Sequence, residues 1–159
     1  MPTVRRLALI AALIVICDQL TKSWVVSSLS DGDVVPIFWT LQFSLGYNSG
    51  IAFSQLQDQG LFVGIAAVVA VSLLIRAMVR AQTALSAYGL CLIVAGAIGN
   101  LSDRVFRGKG WLHGRVVDFI DFQWFPSFNI ADSAITIGAI LLIASLWFEY
   151  RSQVPGDQA

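Results

Sequence analysis

The chain has 159 residues, 57% of them hydrophobic and only 13% charged, with ten Lys and Arg balancing ten Asp and Glu. A soluble domain carries roughly 25% charge, and mean hydropathy here is +0.74, so this is the composition of a membrane protein. The length allows one integral membrane domain, 1–159, of a few spans, and zero net charge gives no pull toward nucleic acid.

The first apolar run covers about 6–27. Arg5 and Arg6 precede it as they would a signal peptide, but the run is long and no small-x-small cleavage site follows it. Ile16 is bulky where processing at Cys17 would require a small residue, so the run is expected to be a retained helix. The loop 28–59 has no Lys or Arg and carries Asp31, Asp33 and Asp58. Its stretch VVPIFWTLQFSLGYNSGIAF is rich in strand-forming residues, which predicts a few short strands on the outer membrane surface. Further apolar runs follow at about 60–79, 84–102 and 129–149, with a second outer loop at 103–128 and a short polar tail. Each run approaches the ~20 residues a helix needs to cross a bilayer, which predicts four transmembrane helices.

Orientation follows from the loop cations. With the N-terminus inside, Arg5, Arg6, Arg76, Arg80 and Arg151 lie inside, against Arg104, Arg107, Lys109 and Arg115 outside. The cation-free first loop decides for both termini in the cytoplasm. Trp24, Trp39, Trp111 and Trp124 then fall near the outer interface, and Trp147 and Tyr150 near the inner one, as an anchoring belt. Cys17 and Cys91 are single cysteines in apolar runs, expected as small core residues rather than as a redox pair.

The polar residues within the spans gather at the outer ends. Asp18 and Lys22 are spaced i,i+4 on one helix face, as are Asn100 and Arg104, while Asn129 and Asp132 are spaced i,i+3. Such groups face a bundle interior and mark either function or helix-pinning networks. An ion pair between Asp18 and Lys22 suffices to orient a helix, Arg104 has an interfacial snorkelling alternative, and Asn48 and Asn100 can satisfy backbone groups. Asp103 pairs with Arg104 or caps its helix in this reading. Asp118, in RVVDFIDF, and Asp132, in the first turn of the last helix, are harder to explain structurally. Two neighbouring carboxylates do not both ionise easily, so one keeps a proton. The charged one can then activate water while the protonated one polarises a carbonyl. That is aspartic-protease chemistry, needing no cofactor and no metal. Other sites lack their parts: His113 is the single histidine, and HExxH, GxSxG, Walker and GxGxxG patterns do not occur. Asp103 ranks third as a catalytic candidate, and Asp121 is a nearby carboxylate.

The blocks DQLTK (18–22), YNSGIAF (47–53), AGAIGNLSDR (95–104), GRVVDFIDF (114–122) and FNIADSAITIG (128–138) stand in one order along the chain. In this the sequence resembles the lipoprotein signal peptidases, or signal peptidase II, of bacterial inner membranes. The resemblance implies four transmembrane helices with a small β-structured periplasmic cradle. It implies removal of the signal peptide from prolipoproteins, cutting before a cysteine already carrying diacylglycerol, with Asp118 and Asp132 as the catalytic dyad. Asp18, Lys22, Asn48, Asn100, Arg104 and Asn129 match further motif positions, expected to line or brace the substrate site. The cyclic peptide inhibitor globomycin is expected to occupy the same site, and the chain is expected to be a monomer. The chain departs from the family pattern in the long stretch VFRGKGWLHGR (105–115) and a short linker between the two aspartates. Gly46, Gly50, Gly108, Gly110 and Gly114 would let the two outer loops close over a substrate.

Two other classes compete. A small ion-coupled transporter would use Asp18, Lys22 and Asp132 as a relay, but no repeat relates the two halves. A structural subunit would use the polar groups only to hold helices together.

Overall fold

In the computed structural model, residues 1–48, 60–108 and 110–153 are described. Beyond Asn48, the block YNSGIAF, with Gly50, lies outside them, as do Asp58, Lys109 and the tail 154–159. The elements run α1 (Val4–Ser28), β1 (Val34–Phe38), β2 (Leu41–Asn48), α2 (Gly60–Val79), α3 (Ala84–Phe106), β3 (Val116–Asp121) and α4 (Ile130–Gln153).

The helices start where the sequence provides caps. The Thr3 hydroxyl accepts from the Arg6 N–H at the head of α1, and Thr83 and Ser86 form a reciprocal capping box at the head of α3. α1, α3 and α4 are long and apolar enough to cross a membrane, whereas Gly64–Val79 within α2 is a shorter apolar stretch. The expected four helices are therefore present, but three of them meet the length of a span among the described residues. α3 also runs four residues past its expected end at 102, so the start of the second loop is helical.

α3 is the central helix and packs against α1, α2 and α4. Its contact with α4 is a seam of small residues. A Cβ on Gly89 would stand 2.8 Å from the Gly138 carbonyl oxygen, and one on Gly96 would overlap the Ala131 carbonyl oxygen. Such close backbone approach is how helices pack tightly where burial of apolar surface gives no advantage over lipid. Outward, the bundle shows Leu9, Leu13, Leu20, Leu73, Ile140 and Ile143, all exposed. Inward it buries Asp18, Lys22, Asp103, Arg104 and Asn129. Cys91 is buried and donates to the Leu7 carbonyl, but Cys17 faces outward and is no core residue.

The three strands form one antiparallel sheet in the order β1-β2-β3. The sequence suggested strands only in the first loop, and β3 comes from the second. Its run VVDFID has no clean polar alternation because both faces of its first four residues are buried. Val25 and Leu29 at the end of α1 pack on Phe119 of β3, with Phe43 and Leu45 of β2 around them. Trp24 meets Phe43 edge to face, and Phe43 meets Phe119 likewise. The sheet is thus seated on the helix ends that carry the polar residues. Trp39, Trp111, Trp124, Trp147 and Tyr150 are all exposed, as anchoring side chains require.

Within the second outer loop, Leu112 and Gly114 pack against α2 and α3. Leu112 is fully buried with φ 64°, a Cβ on Gly64 of α2 would stand 2.5 Å from the Leu112 Cβ, and the Gly114 N–H donates to the Arg104 carbonyl at 2.9 Å. A Cβ on Gly114 would overlap the Asp103 carbonyl oxygen, so this glycine serves close approach and not hinge motion.

Candidate active site

β3 delivers Asp118 and the start of α4 delivers Asp132. The chain between them returns at Phe128, whose carbonyl accepts from the Phe119 and Ile120 N–H groups while its own N–H donates to Ile120. That clasp places Asn129 at the N-cap of α4, beside β3. The Asn129 carboxamide oxygen accepts from the Asp132 N–H at 2.9 Å, and the Asp132 carboxylate accepts from the Asn129 N–H at 3.3 Å. It is a capping box built from Asn and Asp. The helix N-terminus favours negative charge at this position.

The same asparagine reaches the other aspartate. The Asn129 amide donates to Asp118 Oδ1 at 2.7 Å, to the Val117 carbonyl at 3.2 Å and to Asn100 Oδ1 at 3.2 Å. Asn100, from α3, then donates its amide to Asp132 Oδ1 at 2.7 Å. Lys22, from α1, donates to Asn100 Oδ1 at 3.0 Å. An ammonium can only donate, so the oxygen of Asn100 faces Lys22 and its nitrogen faces Asp132.

Behind this layer lies an ion-pair cluster centred on Lys22, Asp18 and Asp103, whose side chains have no solvent exposure. Lys22 Nζ is 2.9 Å from Asp18 Oδ2 and 2.8 Å from Asp103 Oδ2. Asp103 also takes Arg107 Nε at 2.8 Å, and Gln19 donates to both Asp18 and Asp103. The expected Asp18–Lys22 pair is present. Beside the neighbouring Arg104 charge, Asp103 is ion-paired with Lys22 and with Arg107, which lies one turn along α3 on its face. Asp103, the third-ranked catalytic candidate, is fully buried and ion-paired. Asp121 is held differently. It lies on the opposite sheet face from Asp118 by strand alternation, where its carboxylate accepts from Gln42, Ser44 and the Gln123 N–H. These bonds, Gln42 foremost, hold its carboxyl below the usual range.

Asp118 behaves in the opposite way. It is 2% exposed. Burial pushes its carboxyl above the usual range and the Asp132 charge adds to the effect, while hydrogen bonds from Asn48 and Asn129 and the Lys22 charge oppose it. Asn48, at the end of β2 opposite Val116, hydrogen-bonds Asp118 through its side chain. Asp132 is half-buried and opens to one side. An open groove of about 490 Å³ runs past it, between Phe125 and Phe128 at one end and Thr136 and Ile137 at the other. Arg104 is buried in the last turns of α3. His113 is exposed and bonded to the Trp111 carbonyl.

Gln19, Arg107 and the groove were not anticipated from the sequence. Gln19 was visible as a polar residue beside Asp18 in an apolar run; the groove depends on how 123–128 folds back and left no such signal.

The family model described as Signal peptidase (SPase) II matches residues 10–148. The lipoprotein signal peptidase of Hydrogenovibrio crunogenus is 39% identical over 155 residues, covering 91% of this chain and 87% of that protein. That of Shewanella piezotolerans is 43% identical over 146 residues, covering 84% and 81%. Among solved structures, a bacterial membrane enzyme determined by the in meso method at 2.3 Å superposes with a TM-score of 0.81 at 30% identity, covering 98% of this chain and 96% of that one. A second, at 1.9 Å, gives 0.79 at 33% identity, covering 90% and 93%.

Proposed function

The chain belongs to the signal peptidase II family, and from that premise we propose that it is an aspartic endopeptidase in which Asp118 and Asp132 cut the signal peptide from prolipoproteins before a diacylglyceryl-modified cysteine. One observation carries the chemistry: Asn129 bonds both carboxylates at once, one through its amide and the other through its backbone N–H.

In this reading the pair shares one proton, and we assign it to Asp118, whose burial favours the neutral form. Asp132 takes a proton from a water held between the two, and the oxygen of that water attacks the scissile carbonyl carbon. Asp118 gives its proton to the carbonyl oxygen as the tetrahedral intermediate forms. The proton on Asp132 then passes to the amide nitrogen, the C–N bond breaks, and the hydroxyl proton returns to Asp118 as the new carboxyl group forms. The residues themselves supply acid and base, and no step calls on a cofactor.

A membrane-anchored substrate explains the placement. The signal peptide is itself an apolar helix, and its lipidated cysteine holds the scissile bond at the bilayer surface. The groove beside Asp132 opens on the apolar side of α4, where Ile137 is exposed. Four spans, with α2 as the fourth, put both termini in the cytoplasm and the aspartates at the periplasmic face of the inner membrane. Globomycin binds at the same place, and the working unit is a monomer.

Substrate class is tested with purified enzyme in detergent, offering one prolipoprotein with and without diacylglycerol on its cysteine. Cleavage of the lipidated form alone, blocked by globomycin, is expected. Equal cleavage of both forms would remove the lipid from the recognition rule.

A further inference from the structure

Lys22 is the most deeply embedded cation among the described residues, with no solvent exposure. It touches neither Asp118 nor Asp132 through a hydrogen bond or ion pair, yet its three partners all lead to them. Asn100 Oδ1, its first partner, belongs to the amide that donates to Asp132. Asp18, its second, accepts from the Ala131 N–H at 3.0 Å with its other oxygen. Asp103, its third, accepts from the Val117 N–H at 3.1 Å. Val117 directly precedes Asp118, and Ala131 directly precedes Asp132.

We propose that Lys22 is a positioning residue for the aspartate pair. Its ammonium gathers two carboxylates that each grip the backbone one residue before a member of the pair, and it locks the Asn100 amide in the orientation that serves Asp132. Four chain segments, from α1, α3, β3 and α4, are thereby fixed to a single charged atom. That atom acts on the spacing of the two aspartates alongside the Phe128 clasp in the linker between them. The inference rests on the reading of Asp118 and Asp132 as the dyad.

The placement of the neighbours also explains why a lysine is needed and a neutral side chain is not enough. Asp103 keeps Arg107 as a counter-charge if Lys22 is removed, whereas Asp18 has Lys22 as its only cation among the described contacts. Leaving one partner of a buried pair uncompensated is costly. Lys22→Met therefore loses stability and positioning together, and the two are separable. In Lys22→Met/Asp18→Asn the stranded charge is gone, while the carboxamide oxygen introduced by Asp18→Asn can still accept from the Ala131 N–H. A Gly99 Cβ would stand 2.8 Å from Asp18 Oδ2, so this corner has no room for larger replacements.

The test compares wild type, Lys22→Met, Lys22→Met/Asp18→Asn, Asp118→Asn and Asp132→Asn in detergent, reading Tm, kcat and KM for a diacylglyceryl-modified prolipoprotein. The expected result is that the double variant recovers most of the Tm lost in Lys22→Met. Its kcat should stay at least about a hundredfold below wild type with KM changed less than about threefold, because misplacement of reacting groups acts on the chemical step. If kcat returns with Tm to within a few-fold of wild type, Lys22 is only structural and the proposal is overturned while the dyad stands. If Asp118→Asn and Asp132→Asn themselves cleave normally, the dyad reading falls and takes this proposal with it.

Discussion

The Asn129 side-chain amide lies 2.7 Å from Asp118 Oδ1, and the residue that makes this bond is also the N-cap of the helix that carries Asp132. One asparagine, 11 residues along the chain from Asp118, therefore ties a strand residue to a helix residue. Asn129→Ala removes a cap worth about 1 kcal/mol and the side-chain donor to Asp118 at once. The expected outcome is a modest fall in Tm and a fall in kcat of roughly a hundredfold, the size of effect a lost active-site hydrogen bond produces. Thermal unfolding and steady-state cleavage, measured on the same preparation, check both.

Asp118 sets the alkaline limit of activity. Its carboxyl titrates above the ordinary carboxylate range because burial penalises the ionised form. Activity should follow a bell, rising as one carboxyl of the pair ionises and falling as pH passes through the raised value and the shared proton is lost. The sign for stability is the reverse of the usual aspartate. A carboxyl raised in the folded protein contributes stability that is complete below its unfolded value and is lost as pH rises through the folded one. Asp118→Asn should therefore flatten the fall in Tm above the ordinary carboxylate range. Unfolding scans of wild type and variant across that range check it.

Gly96 governs the distance between α3 and α4 one turn before Asn100. A Cβ there overlaps the Ala131 carbonyl oxygen, in backbone that cannot yield without moving the start of α4. Gly96→Ala should cost roughly 1–3 kcal/mol through overpacking, and activity should fall with it because Asp132 is carried on the displaced turn. A variant with unchanged Tm and full cleavage would show that the seam tolerates a methyl group.

Asp121 serves as the internal control for carboxylate removal. It sits three residues from Asp118 on the opposite sheet face, held by Gln42, Ser44 and the Gln123 N–H. Asp121→Asn should leave kcat within about threefold of wild type, and parallel cleavage assays with Asp118→Asn show the contrast.

Much of this was legible in the chain because polar residues in apolar runs stand out. Asp18 and Lys22, Asn100, Asn129 and Asp132 each announced themselves by position alone, and all converge in the structure. The full set of Asp103 partners was not legible, because Lys22 comes from α1 and Arg107 from one turn further along α3. β3 was hidden because VVDFID is buried on both faces and so lacks alternation. The glycines of 105–115 suggested motion, but glycine marks close approach as readily as freedom, and the close packing of Gly114 on Asp103 and Arg104 left no separate signal in the sequence.

The central claim is that Asp118 and Asp132 together do the chemistry. Its most direct measurement is a gel-shift assay of diacylglyceryl-modified prolipoprotein cleavage by wild type, Asp118→Asn and Asp132→Asn, each first shown to be folded. The account predicts processing by the wild type and at least a roughly thousandfold loss, on the order expected when a member of an acid–base pair is removed, in both variants. Processing by either folded variant at a rate near that of the wild type would contradict it.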